Sequence, residues 1–314
     1  MDGPHVPVLA EAFVAYAVPS AGDWVCVDCT LGAGGHAEAL LRAMGPSGRL
    51  LGIDRDQDAI EVASRRLREF GDRARLVHGN FAELGDIVAE NGWGRTDAVV
   101  YDFGVSSMHF DRPERGFSYQ HDAPLDMRMD TTQELSAADV VNDYDEAELA
   151  AIIRNYGEER WAARIAEFIV AHRSRARIET TGQLVDVIRA AIPSAARRGG
   201  PHPARRTFQA LRIEVNGELD AIETSLPQAV AELSPGGRLV ALSYHSLEDR
   251  IVKRFMRAEA DGETPRLRLL KRKAEKPSAA EIATNSRAKS ARLRAAERLA
   301  APHHPFGPPG GSAA

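Results

Sequence analysis

Cysteine is nearly absent: Cys26 and Cys29 are the only two in 314 residues. A disulfide scaffold is therefore excluded, and a cytoplasmic home is the expectation. Long apolar runs are also missing. Stretches such as Ala98–Tyr101 and Leu239–Leu242 fall far short of the roughly 20 residues a membrane span needs, so no membrane association is expected. The N-terminal MDGPHVPVLAEAFV has no basic region ahead of a long apolar core, which argues against a signal peptide. Aromatics are sparse at 6%, and no internal repeat is visible. What remains is ordinary soluble composition, 44% hydrophobic and 27% charged, with enough length for a sizeable core and about two domains.

The two cysteines stand as CxxC. A redox pair sits at a helix N-terminus, whereas these lie in an apolar, strand-like run where an odd spacing sends them to opposite faces. No second Cys/His pair completes a zinc site. A structural role is expected, with no metal. The net charge of −5 hides an asymmetry: residues 250–298 hold 15 Lys and Arg against 6 Asp and Glu. The segment AARRGGPHPARR (195–206) holds four arginines and no acid. Such segments are the electrostatic footprint of a partner with a phosphate backbone; a solvated surface is the other reading.

The first hundred residues alternate. Short runs rich in Val, Leu and Ile at 24–31, 49–54, 75–78 and 97–103 predict strands buried on both faces. Helical patterns at 37–44, 57–70 and 81–90 separate them, which argues for a parallel sheet. From about 113 to 213 no strand-like run occurs, and helices are expected at 145–155, 158–174, 181–192 and 203–216. Alternation returns with a helix at 218–233, a turn at 234–237, a strand at 238–245 and a helix at 247–259. Two β-like runs follow, at 266–272 and 291–295. The expected organisation is an α/β domain built from 1–112 and 214–298, a helical insertion at 113–213, and a Pro/Gly-rich tail at 299–314 expected to be disordered.

The run VCVDCTLGAGGH ends a strand in a glycine turn, Gly32, Gly34 and Gly35, and starts a helix. In open parallel sheets ligands sit beyond the carboxyl ends of the strands. The spacing is neither GxGxxG nor a P-loop. The next strand ends in Asp54, an acid able to accept from both hydroxyls of a ribose. The third leads to His78-Gly79-Asn80-Phe81, whose ring can pack on an adenine. The fourth ends in Tyr101-Asp102-Phe103-Gly104. A glycine turn, an acid, an Asn-Phe pair and another acid at successive strand ends fit an adenosine cofactor without pyrophosphate, and S-adenosylmethionine is the natural candidate.

The strings DCTLGAGGH (28–36), GIDRD (52–56), HGNF (78–81), DFGVSS (102–107), PERGFSY (113–119), PLDMRMD (124–130), YGEE (156–159), ARRTFQALRIEVN (204–216), SYHSLEDRIVK (243–253) and NSRAKSARLR (285–294) closely resemble the bacterial small-subunit (16S) ribosomal RNA cytosine-N4 methyltransferase family (RsmH/MraW). HVPVL (5–9) fits as well, so the resemblance runs from about residue 5 to 298. It implies a class I, Rossmann-like methyltransferase fold with an inserted all-helical domain. The implied reaction is methyl transfer from S-adenosylmethionine to N4 of one cytidine in small-subunit rRNA, within the assembled subunit, with a homodimer as an open option. Carried over by position, the cofactor residues are Gly34, Gly35, His36, Asp54, Phe81, Asp102 and His109. At 109 the family often has glutamine, and Met108 replaces a common proline.

Cytosine N4 is a poor nucleophile because the ring shares its lone pair, so an acceptor on its N–H groups is needed. Amino-methylating enzymes commonly place Asp, Asn or Ser before Pro-Pro-aromatic after the fourth strand. Here Asp102 is followed by Phe-Gly-Val, so Asp102 can serve the cofactor, the amine or both. The cluster SYHSLED (243–249) is the other candidate: Tyr244 or His245 can stack on the base, and Glu248 or Asp249 can bind it. Alternatively Ser246 caps the next helix, with Glu248 and Asp249 in its first turn. Arg197, Arg198, Arg205 and Arg206 are the expected RNA phosphate contacts, with Arg212 on the same helix; Arg206 and Arg212 can instead form ion pairs within the domain. Two rival readings are a DNA cytosine-N4 or adenine-N6 methyltransferase and a non-enzymatic RNA-binding assembly factor.

Overall fold

A computed structural model describes residues 7–20, 22–197 and 202–300. In chain order the elements are α1 (Ala10–Ala17), β1 (Val25–Asp28), α2 (Gly35–Ala43), β2 (Arg49–Asp54), α3 (Gln57–Arg66), β3 (Ala74–His78), α4 (Leu84–Glu90), β4 (Thr96–Asp102) and α5 (Ser107–Asp111). Helices α6 (Ala137–Asp143), α7 (Glu146–Asn155), α8 (Ala162–Arg173), α9 (Thr181–Ala191) and α10 (Arg205–Asn216) follow. The chain then forms α11 (Glu218–Glu232), β5 (Leu233–Ser243), α12 (Ser246–Asp261), β6 (Leu267–Leu269), α13 (Ala279–Thr284) and β7 (Arg292–Arg298).

The seven strands form one sheet in the order β3-β2-β1-β4-β5-β7-β6. The first five run parallel, and β7 is antiparallel to both neighbours. The period-two pleat divides their side chains. Cys26, Leu50, Val100 and Val240 pack on one face, and Val27, Leu51, Val99 and Leu239 on the other. Burial on both faces is why these strands read as continuous apolar runs. The two cysteines are free and buried, one in each face's core. From β1 the sheet grows toward β2 and β3, and from β4 toward β5. The switch point, where a crevice opens above the strand ends, therefore lies between β1 and β4. This is the Rossmann-like class I methyltransferase architecture that the resemblance implied. A third apolar cluster is drawn from residues between Phe117 and Val215 and belongs to the helices inserted after β4.

Several boundaries differ from the pattern-based expectation. The first strand stops at Asp28, and Cys29–Leu31 already turn, with Cys29 N–H and Leu31 N–H donating to Val100 O and Ile53 O. The expected turn at 234–237 is an irregularity inside β5, where the register against β4 jumps between Thr96–Leu233 and Ala98–Arg238. Helix α8 starts at Ala162 because Glu158 adopts a left-handed backbone, φ 48°. Short helices α5, α6 and α13 lack two full turns of periodicity and were not expected. The tail from residue 301 lies outside the described residues.

One side chain joins the inserted helices to the loop above the sheet. Asn216, at the end of α10, accepts from Met129 N–H at 2.8 Å and donates to Met127 O at 2.9 Å and Arg212 O at 2.8 Å. It is 3% exposed. Replacing Asn216 with Ala orphans a buried N–H and a buried carbonyl, so it should lower unfolding free energy by about 2–4 kcal/mol. Urea denaturation with an unchanged m-value tests this; a loss within 0.5 kcal/mol, or about the noise of a surface substitution, would contradict it.

Candidate functional site

A cavity of about 920 Å³ opens above the switch point, walled by the strand-end loops, the start of α10 and the segment around α13. Its floor is the glycine turn. Gly32, at φ 52°, donates its N–H to Asp54 Oδ2 at 2.7 Å, while Asp56 N–H donates to Asp54 Oδ1 at 2.9 Å. Asp54 thus locks the turn after β1 to the end of β2. Burial pushes its carboxyl pKa up, against these hydrogen bonds, which pull it down. Gly35, His36, Asp54, Phe81, Asp102 and His109 all line the cavity.

Gly34 is not among the residues that line the cavity, although Gly32, Ala33 and Gly35 on either side of it are. It caps α2 in the left-handed region at φ 78°, and a Cβ there would lie 3.3 Å from Ala63 Cβ of α3. Its glycine is required by turn geometry and helix packing. At Gly35 a Cβ would meet Pro7 Cγ at 2.8 Å, so the N-terminal segment closes down on the turn.

Asp102 is the best-connected group of the site. Its N–H donates to Thr30 Oγ1 at 2.5 Å, tying β4 to the turn after β1. The Tyr244 hydroxyl donates to Asp102 Oδ1 at 2.8 Å, tying it to the end of β5. Burial, then the neighbouring Asp102 charge, push the Tyr244 pKa well above its ordinary value, which keeps that hydroxyl protonated and donating. Asp102 Oδ2 lies 3.4 Å from His36 Nε2 without hydrogen-bond geometry. His36 stacks on Phe13 at 4.0 Å between ring centres, is 6% exposed, and has no partner on either ring nitrogen. Beneath them lies Asp28, whose pKa burial raises to about 7. Its Oδ1 accepts from Thr30 N–H at 3.1 Å, and its Oδ2 has no partner.

The SYHSLED cluster takes a form that sequence did not anticipate. The cap of α12 is His245, not Ser246: His245 and Glu248 form the reciprocal capping box. Glu248 is fully buried and accepts from Tyr244 N–H at 2.7 Å and His245 N–H at 3.1 Å. Burial alone would raise its pKa, but His245, Arg212 and the Tyr244 N–H pull it below the usual carboxylate range. Arg212 makes a buried, bidentate pair with Glu218, both distances 2.7 Å, so it is an internal ion pair and not an RNA contact. Glu218, His245 and Glu248 bring donor atoms within 4.8 Å of one another. Both Glu218 oxygens are already bonded to Arg212, and the trio reads as a charge network. Asp249 points away, to Arg292 at 3.2 Å and Arg294 at 2.7 Å.

The remaining expected residues scatter. Phe81 packs edge-on to Tyr101 at 5.8 Å. His109 bonds Asp56 Oδ2 at 2.8 Å and packs against Phe117 at 4.6 Å, so its ring is committed within the wall. Arg205 is exposed and lines the cavity from α10. Arg206 donates to Glu158 O at 3.1 Å. Arg197 is half-buried outside the cavity lining, and Arg198 lies outside the described residues. Sequence reasoning missed Tyr119, Phe208 and Gln209, which wall the side toward the inserted helices, and Glu281, Thr284 and Arg287 on the C-terminal segment. Only the strings PERGFSY and ARRTFQALRIEVN flagged part of that wall.

The donor set fits S-adenosylmethionine. Asp54 retains acceptor capacity at the cavity floor, Phe81 presents an aromatic edge, and His36 holds buried, unpartnered nitrogens there. Acids and arginines both line the cavity; of the acids, Asp54 and Asp102 stand at the strand ends, where negative charge suits a sulfonium cation.

The MraW methylase family matches residues 2–299 of the chain. The ribosomal RNA small subunit methyltransferase H of Symbiobacterium thermophilum is 51% identical, covering 95% of this chain and 97% of its own. The enzymes of the same description from Thermobifida fusca, at 52% identity, and Acidothermus cellulolyticus, at 51%, cover 95% and 94% of the chain and 94% of their own lengths.

Asp28 makes a pH prediction. Its folded pKa of about 7 stands above its ordinary 3.8, so the native state loses stability as pH rises through that window and recovers none above it. Asp28→Asn removes the effect. Relative to the unsubstituted chain the variant should gain stability between pH 4.5 and 7, by up to about 4 kcal/mol, and the gain should level off by pH 8. Denaturant titrations across that range measure it; a pH-independent difference would contradict the burial argument.

Proposed function

This chain belongs to the MraW methylase family, and we propose that it is an S-adenosylmethionine-dependent methyltransferase of small-subunit (16S) ribosomal RNA acting on cytidine N4, as its resemblance to the small subunit methyltransferase H enzymes supports, with Asp102 the group against which the target amine is methylated. The observation that carries this reading is the fixation of Asp102, a cavity-lining residue, from both sides, by Thr30 Oγ1 on its backbone and the Tyr244 hydroxyl on Oδ1, while Oδ2 stands 3.4 Å from His36 Nε2 without a hydrogen bond to it.

S-adenosylmethionine, when bound, supplies an electrophilic methyl group. Everything else is positioning by the chain. Oδ2 of Asp102 accepts one N–H of the cytosine amine, which raises electron density on N4, and it takes that proton as the N–C bond forms. Tyr244 holds the carboxyl in one rotamer, which makes it a positioning residue. His245 is a helix cap whose ring is held by Glu248, so it shapes the wall between base and α12. Glu248 anchors the two N–H groups that set the Tyr244 backbone. Gly35, His36, Asp54 and Phe81 hold the cofactor; His109 supports the wall behind it.

The helices between 113 and 213 supply the substrate side of the cavity through Tyr119, Phe208 and Gln209. We assign them the recognition of rRNA in the assembled small subunit, in the cytoplasm, with Arg205 at the cavity and Arg197, Arg198 and Arg206 on the surrounding surface. No helix among the described residues is long and apolar enough to cross a membrane. No part of this assignment needs a second copy of the chain.

The test uses methyl-labelled cofactor, small subunits from a strain lacking the endogenous enzyme, and nucleoside identification by mass spectrometry. N4-methylcytidine is the expected product. Asp102→Asn should lower kcat by about 10²–10⁴-fold, the range of a positioned proton acceptor, with cofactor Kd changed less than threefold, or about 0.6 kcal/mol. Tyr244→Phe should lower kcat by roughly tenfold while leaving both KM values near normal. An Asp102→Asn variant that loses cofactor binding in proportion to turnover would return Asp102 to the cofactor alone.

A further inference from the structure

A second depression, of about 210 Å³, backs onto the same wall. It shares Tyr244, His245 and Ser290 with the main cavity and is further lined by Ser246, Lys276, Lys289 and Arg292. It lies in the stretch that carries the chain's positive excess, 15 basic against 6 acidic residues over 250–298. The nearby acids are already engaged. Glu275 holds Lys271, Glu281 accepts from Leu9 N–H at 2.7 Å, Glu158 holds Ser246 and Arg250, and Asp249 holds Arg294 at 2.7 Å and Arg292 at 3.2 Å. Lys276 and Lys289 are exposed and have no acidic partner among the described residues. Ser246, the first residue of α12, also lines this depression. Two ammonium groups without acidic partners and the Arg292 guanidinium thus converge on one concavity. Its volume is several times the roughly 30 Å³ share of one water, enough for a phosphate group with bound water.

We propose that this depression is a phosphate subsite. It takes one backbone phosphate of the rRNA strand next to the nucleotide whose base enters the main cavity on the other side of Tyr244–His245. The proposal rests on the rRNA reading above and deepens it. A nucleotide carries base and phosphate on opposite ends of one sugar, and here the main cavity and a lysine-lined depression adjoin through Tyr244, His245 and Ser290. The chain as a whole is acidic at −5, so a localised basic cleft favours the approach of an anionic strand to the cavity beside it. Lys276 and Lys289 set the strand's register; the base contacts specify it.

The experiment compares the full-length chain with K276Q/K289Q and with K276R/K289R as the charge-preserving control. Two quantities are read: Kd for a protein-free rRNA fragment containing the target, against salt concentration, and KM for small subunits. The Gln pair should raise both by about tenfold, as for lost charge-assisted hydrogen bonds. It should also flatten the slope of log Kd against log salt by about 0.7, the share of one single-strand phosphate. Cofactor Kd and thermal midpoint should not move, and the Arg pair should behave like the unsubstituted chain. An unchanged slope, or a KM defect on subunits with no defect on protein-free RNA, would overturn the proposal, the latter in favour of a contact with ribosomal protein. If the unsubstituted chain methylates no subunit, the rRNA reading fails on its own, while the RNA-binding slope still decides the subsite.

Discussion

Asp102 carries three attachments, and the arrangement of the site depends on them. Its backbone is bonded to the turn after β1, one carboxyl oxygen to the end of β5, and the other faces His36 on α2. The parallel sheet makes this convergence available, because every strand from β1 to β5 delivers its carboxyl end to the same edge. Without the Tyr244 bond the Asp102 side chain would keep its rotamer freedom, and the entropy of ordering it would fall on the reaction step. Tyr244 is itself fixed from behind, by Glu248 on its backbone N–H. A buried, fully ionised carboxylate at the start of α12 is thus the far end of a chain of bonds that leads to the reacting amine.

The charge pattern has the same logic. Asp54 and Asp102 stand at the strand ends where a sulfonium and an amine must meet, Arg205 and Arg287 line the same cavity from α10 and the C-terminal segment, and Lys276, Lys289 and Arg292 line the second depression beyond Tyr244 and His245. Arg212, which sequence grouped with these, is withdrawn into a buried pair with Glu218. There it neutralises the interior beneath His245. The net charge of the chain averages over these two territories and describes neither.

Much of the frame was legible because its signals are local. Strands buried on both faces produce dense β-branched runs, and a ligand-binding edge produces glycines and acids immediately after them. Asp54, Asp102 and the turn at Gly32 could be placed that way. That a Cβ at Gly34 would press on Ala63 of another helix, and one at Gly35 on Pro7, is a tertiary fact that sequence does not display. His245 read as a stacking ring since histidine is an uncommon cap; its identity as cap depends on Glu248 reaching back, a contact that only the folded turn displays. The wall from Tyr119 and Phe208, and the closing segment at 281–290, come from parts of the chain far from the strand ends. Their role follows from where the inserted helices pack, which no periodicity encodes.

The most direct test of the account is a structure of the chain with an unreactive cofactor analogue and cytidine bound. It should place the cytosine N4 about 2.7–3.2 Å from Asp102 Oδ2, hydrogen-bond distance, with the Tyr244 bond to Oδ1 intact. An amine seated on Glu248, with Asp102 turned to the cofactor and Tyr244 released, would contradict it.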